Sequence, residues 1–284
     1  MSATGKTYGK ISGEAVPLER ATRLRAAIRA AGLIGLALIA VIVGFADAIA
    51  RAPADAALVG QPLMAPSIAF PFGTDVLGRD VLSETLHALS VTISEAALAM
   101  IIAILVGGLF GFVATRLPWR SGYVMRWAAG IFASVPSLLL AILLVGLSDR
   151  SFAPIAAGLA AAPFAFCRAF DRARALARSQ HAEYARASGI PAMMLLRRDL
   201  AYEFRDMFIG VAARALAAVT ITLSTLSFLG FGAVPPHRDL GLMIAASRSV
   251  YLEAWWTAAF PALVLLLIIL CARLAAALEE GERP

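Results

Sequence analysis

VTISEAALAMIIAILVGGLFGFVAT, residues 91–115, decides the fold class: 25 residues carry a single charged side chain, Glu95. A run of about 18 or more mostly apolar residues is long enough to cross hydrocarbon, and only a helix satisfies its own backbone polar groups there. The rest of the chain agrees. Of its 284 residues, 60% are hydrophobic and 15% charged, and the mean hydropathy is +0.80. Soluble domains sit near about 45–50% apolar and about 25% charged, so one soluble core cannot use this much apolar side chain. The expected fold is all-α and integral to the membrane, with spans at 32–50, 91–115, 124–147, 152–167, 207–232 and 257–278. The fourth is short and carries Pro154 and Pro163.

Arginine and lysine set the orientation. With the N-terminus cytoplasmic, the inner segments hold 19 of them, among them Lys6, Lys10, Arg20, Arg23, Arg25 and Arg29 in the tail and eight between Arg168 and Arg205. The outer loops hold five: Arg51, Arg79, Arg150, Arg238 and Arg248. Positive charge collects on the cytoplasmic side, which places both termini there. It also explains the net charge of +6. A nucleic-acid reading has no soluble domain to carry its basic face. The organisation expected is a basic tail over 1–31, a first span and outer loop over 32–90, and a five-span core over 91–284 with an inner loop at 168–206. The polar, basic tail reads as part of a signal-anchor, without a cleavage site after the first apolar run.

Several short patterns carry no chemistry. Gly5-Lys6-Thr7 lacks the earlier glycine, strand and helix of a nucleotide loop. His87, His181 and His237 fall in different loops, and Cys167 and Cys271 lie at inner ends of spans, so neither set forms a metal site or disulfide. No GxSxG or HExxH pattern is present, which leaves no support for a membrane hydrolase. Gly107 and Gly111 form a GxxxG suited to close helix packing. Charges within the spans are few; Glu95 lies near the outer end of the second and Arg214 up to two turns into the fifth, both within snorkelling reach of the interface.

Three stretches carry the functional reading. FGTDVLGRDVLSETLHALSVTIS, residues 72–94, precedes and enters the second span. Gly73 and Gly78 allow tight turns around Thr74, while Asp75, Arg79 and Asp80 can pair among themselves and cap the following helix. LSFLGFGAVPPHRDLGLMI, residues 226–244, ends the fifth span at Gly230, Gly232, Pro235 and Pro236 and turns polar in the outer mouth. HAEYARASGIPAMMLLRRDL, residues 181–200, is a charged inner segment. There Glu183 and Arg186 share a helical face, Gly189 can end that helix, and Pro191 can open the next. Met193, Met194, Leu195 and Leu196 then offer an adaptable apolar patch.

Together these stretches resemble the C-type inner-membrane permeases of the ATP-binding-cassette importers for dipeptides, oligopeptides and nickel. The first is similar to that family's FGTDxxGRD signature. The second is similar to its LSFLGLGxxPPxxxWG segment, with Leu240 where Trp is usual. In the third, Glu183, Ala185 and Gly189 match the E-A-A-x-x-x-G loop, with Tyr184 in place of its middle Ala and Leu200-Ala201-Tyr202 where Leu-Pro-Asn is common. The resemblance implies a type I importer permease of six spans, which is half of a heterodimer with a B-type subunit. It also implies one or two ATPase subunits and an extracytoplasmic solute-binding protein. The loop around Glu183, Ala185, Arg186, Gly189 and Pro191 would be the ATPase-coupling helix, and the two outer stretches would serve docking or gating. ATP and magnesium would belong to the partners, with no cofactor or catalytic residue in this chain. Peptides are the first expectation for cargo, with nickel, a metal chelate or another small solute as alternatives; a self-contained carrier or channel is the rival.

Overall fold

The computed structural model describes residues 18–51, 53, 59–178, 187–188, 200–232 and 237–276, with side chains described from residue 23 on and not at 176–177 or 200–207. The described residues form a helical bundle. Helix α1 spans Leu18–Gly44, and the short α2 spans Ala46–Ile49. Helix α3 runs Val81–Ile102, continues through a wider i→i+5 turn at Ala103–Leu109, and finishes as α4, Phe110–Ala114. Next come α5 (Trp119–Ala133), α6 (Ser137–Gly146) and α7 (Ala153–Ala177). The last three are α8 (Leu200–Phe228), α9 (Leu240–Ala246) and α10 (Trp256–Ala275). By length and apolarity five helical stretches among the described residues can cross a membrane, and six if the bent pair α5–α6 counts as one span.

The spans are those expected, with different limits. Helix begins at Leu18, so the chain is already helical through Arg20–Arg29, which the sequence assigns to a tail. The second span starts at Val81, ten residues before the apolar run, because Asp80 caps it and an amphipathic turn follows. The third bends by 82° between α5 and α6. Pro136, whose backbone is extended at φ −52 and ψ 126, begins α6 there and cannot continue the α5 hydrogen-bond ladder. The fourth is not short: α7 runs 25 residues through Pro163.

Alanine makes the core. Ala96, Ala99 and Ala103 face Ala156, Ala157 and Ala160 in a fully buried cluster closed by Val219, Leu223 and Leu226 of α8. Helices in lipid gain little from hiding leucine from leucine, so association depends on small residues that let backbones approach. At Gly107 a methyl group would overlap the carbonyl of Ala162, and at Gly111 the carbonyl of Phe166. The GxxxG therefore seats the widened turn of the second span directly on α7. Bulky apolar residues point the other way: Trp127, Phe132, Leu139 and Leu147 of α5 and α6 are exposed.

Candidate functional site: a clasp across one end of the bundle

The ends of α1, α6 and α8 and the starts of α3, α7 and α10 gather at one end of the bundle, called here the Asp75 end. The segment before α3 folds into a small closed structure there. Gly73 (φ 73) and Gly78 (φ 67) take the left-handed backbone, and a side chain at Gly73 would press on Met64 O and the Trp256 ring, each 2.6 Å from its Cβ. Thr74 is fully buried. Its hydroxyl donates to Gln61 O at 2.7 Å and accepts from Met64 N at 2.8 Å, and its carbonyl accepts from Trp256 Nε1 at 3.1 Å. Asp75 Oδ1 accepts from the backbone N–H groups of Leu77 and Arg79, each at 2.8 Å, which folds the turn around Gly78.

Asp80 is the N-cap of α3, accepting from Leu82 N and Ser83 N at 3.3 Å and from the Ser83 hydroxyl at 2.6 Å. The expected pairing among Asp75, Arg79 and Asp80 side chains is replaced by another. The carboxylates of Asp75 and Asp80 are taken up by backbone donors and, for Asp80, the Ser83 hydroxyl, and Arg79 turns to Glu84 at 3.5 Å. Glu84 in turn accepts from Arg238 Nη1 at 2.6 Å. Only 6% of the Glu84 side chain is exposed, so its charge is held by two guanidinium groups.

The second stretch meets the first at this point. Helix α8 ends in a Schellman turn: Gly230 (φ 87) donates to Ser227 O at 3.0 Å and Phe231 N to Leu226 O at 2.8 Å. Gly232 packs on Ser227 too closely to admit any side chain. Arg248 covers this end, donating to Phe228 O at 2.5 Å with its guanidinium 3.8 Å from the Phe228 ring centre. Asp239 caps α9 through Leu242 N at 2.8 Å, and Leu240 N donates to Thr92 Oγ1 of α3 at 3.0 Å. Burial raises the Asp239 carboxyl above the usual range, with the Ser227 hydroxyl and the Leu242 N–H drawing it partly back. A cavity of 90 Å³ lies between the turn at Asp75, Glu84, Arg238 and Met243.

The structure thus joins Gly73, Thr74, Asp75, Gly78, Arg79, Asp80, Gly230 and Gly232 into one end of the molecule. Pro235 and Pro236, and Glu183, Ala185, Arg186, Gly189 and Pro191 of the inner stretch, lie outside the described residues. Sequence reasoning missed Glu84, Arg238, Thr92 and Trp256 as members of the clasp. Their partners are 148 to 182 residues away in all but one contact, the Arg79–Glu84 pair. Glu84 alone left a local signal, a carboxylate at a helix start five residues after an arginine.

A bundle of five or six spanning stretches among the described residues, closed at one end by a loop-built clasp, is a multi-pass membrane protein. Residues 103–280 match the family described as the binding-protein-dependent transport system inner membrane component, and the chain belongs to that family. It is 30% identical over 223 residues to the peptide transport system permease protein SapC of Haemophilus influenzae, covering 75% of each chain. It is 28% identical to the probable D,D-dipeptide transport system permease protein DdpC of Escherichia coli, covering 72% of this chain and 70% of the relative. To the di/tripeptide transport system permease protein DppC of Pseudomonas aeruginosa it is 29% identical, covering 72% and 68%. The chain is therefore a membrane permease component rather than an enzyme.

Proposed function

We propose that this chain is one half of the translocation pathway of an ATP-driven importer of short peptides. The Asp75 end faces outward toward a solute-binding protein, and residues 181–200 face inward onto an ATPase subunit. Relatives whose names specify peptides, D,D-dipeptides and di/tripeptides support the cargo, and the excess of arginine and lysine in the inner segments supports the orientation. A homologous B-type permease completes the pathway, and nucleotide chemistry belongs to the ATPases.

One observation carries the mechanism: the clasp ties α3, α8, α9 and α10 together through the Trp256–Thr74, Arg238–Glu84, Leu240–Thr92 and Arg248–Phe228 hydrogen bonds. Helices fixed to one another at one end move as a body, so a displacement applied at their far end tilts the group instead of sliding one helix past the next. ATP supplies free energy by binding one conformation of the assembly more tightly than the other. The segment around Glu183, Ala185, Arg186, Gly189 and Pro191 is the contact through which the ATPase applies it.

The test is Gly189→Trp in the assembled complex. Stimulation of ATP hydrolysis by loaded binding protein is expected to disappear while the subunits still co-purify. Normal stimulation in that variant removes the coupling role from this segment.

A further inference from the structure

We propose that the turn between α4 and α5, together with the exposed face of α5, holds an anionic phospholipid whose phosphate sits on Arg116 and Arg120. The inference goes beyond the import reading and holds whatever the solute is. Residues 96–148 contain three arginines, Arg116, Arg120 and Arg126, and no lysine, aspartate or glutamate. Arg126 is taken: it donates to Asp171 of α7 through Nε at 2.9 Å and Nη2 at 2.7 Å. Arg116 and Arg120 are exposed. Each stands over a nearby aromatic ring, Arg116 5.3 Å from the centre of Phe112 and Arg120 5.6 Å from that of Trp119. Among the described residues neither is paired with a carboxylate. A guanidinium held over a ring keeps the N–H donors at its edge for another acceptor, and the oxygens of a phosphate suit two such groups.

The rest of the face continues what the arginines begin. Trp119, Tyr123, Trp127 and Ile131 recur every four residues along α5, and all four are exposed. Trp119 and Tyr123 meet edge to face at 6.5 Å, and Tyr123 meets Phe170 of α7 in the same way at 5.8 Å, which fixes the pair. Counted from Arg120, Trp127 lies about 10 Å and Ile131 about 16 Å further along the helix at the usual rise. One leaflet measures about 20 Å from its headgroups to the midplane. Over that depth the face passes from guanidinium groups through Trp and Tyr rings to an aliphatic side chain. A phospholipid has the same order of chemistry, from phosphate through the glycerol esters to the acyl chains, and Trp and Tyr favour that boundary.

Two observations select a lipid over a neighbouring protein and an anionic lipid over a zwitterionic one. Helices of this bundle meet through small residues: Gly107 and Gly111 seat on α7, and Gly122, the buried residue of α5, seats on the carbonyl of Ala114. The outer face of α5 presents large side chains where such contacts need small ones, with Trp119 65% and Trp127 70% exposed. The second observation is charge. A zwitterionic headgroup brings an ammonium as well as a phosphate, and residues 96–148 offer no carboxylate to receive it. An anionic headgroup brings the charge that Arg116 and Arg120 complement.

The first experiment uses the chain purified from membranes with its accompanying subunits and returned to phosphatidylcholine vesicles. A trace of phosphatidylglycerol or of phosphatidylcholine, each with a photoreactive headgroup, is added, and the adducts are mapped by mass spectrometry. The phosphatidylglycerol probe is expected to label residues 116–123, with unlabelled phosphatidylglycerol displacing it and extra phosphatidylcholine leaving it in place. Arg116→Gln together with Arg120→Gln is expected to lower that labelling about fivefold or more. Equal labelling by the two probes, or undiminished labelling of the double variant, overturns the proposal. Labelling by neither probe overturns it too and assigns the face to another subunit. The second experiment is thermal unfolding in detergent with either lipid added. Phosphatidylglycerol is expected to raise the melting temperature of the unchanged chain more than phosphatidylcholine does, and the double variant to lose at least half of that difference. A difference of the same size in both proteins, or none in the unchanged chain, overturns the proposal.

Discussion

Arg238 donates a 2.6 Å hydrogen bond to Glu84 across 154 residues of chain, and it is the ionic contact that joins the two outer stretches. Removing one partner of a buried ion pair strands the other, which costs about 3–5 kcal/mol when no second partner is present. Glu84 has one, Arg79 at 3.5 Å. Arg238→Ala is therefore expected to destabilise by less than that range. In a double-mutant cycle with Glu84→Gln, the pair should show a coupling of about 1–3 kcal/mol, read from thermal unfolding in detergent. Additive losses would mean that the two side chains do not act together.

Neighbouring glycines should behave differently. Gly107→Ala pushes a methyl group into the Ala162 carbonyl, whereas Gly108→Ala meets nothing closer than a methyl of Ile104 at 3.6 Å. Overpacking a close contact costs about 1–3 kcal/mol. The first variant should lower the melting temperature and the yield of folded protein. The second should match wild type, and a reversed order would contradict the way the widened turn sits on α7.

Gly73 and Gly230 share a left-handed backbone but not their surroundings. Alanine at Gly230 would meet nothing within 4 Å, so its cost should be the conformational one alone, about 1–2 kcal/mol. Alanine at Gly73 would also press on Met64 O and Trp256. Gly73→Ala should be clearly the worse of the two in thermal unfolding, and equal losses would remove the packing role of Trp256 on the turn.

The Asp239 carboxyl is raised above the usual range, mainly by burial. A group raised in the folded state prefers its proton there, so its contribution to stability is greatest at low pH. That contribution falls as pH climbs from the ordinary value through the raised one. Asp239→Asn keeps an N-cap and never charges, so it should equal or exceed wild-type stability at neutral pH and flatten the pH dependence. Asp239→Ala loses the cap, about 1 kcal/mol. A steeper pH profile in Asp239→Asn would contradict this.

Much of the fold was legible because hydropathy is a property of a single stretch, and each span is one. Its limits were not. VLSETLHALS, residues 81–90, is too polar to read as membrane helix. Yet Asp80 caps it, and Ser83, Glu84 and Thr85 are buried against other parts of the clasp. Pro136 and Pro163 give the same signal in apolar runs, but one bends its span by 82° and the other sits inside a continuous helix. What separates them is packing, since α7 is held by α3, α4, α5, α6 and α8. The turn glycines Gly73, Gly78 and Gly230 were legible, because a left-handed backbone demands a residue type. Glu84 with Arg238 and Thr74 with Trp256 were not, because no periodicity links residues so distant.

The contact between α9 and α3 is made by the Leu240 backbone N–H on Thr92 Oγ1, not by a side chain of residue 240. Leu240 is itself fully buried, and a different side chain there need not cost that bond. The fastening is written at position 92, and position 240 is left free to match the shape of whatever packs around it. A change at 240 then alters how the bundle is filled, while the knot that holds it stays the same.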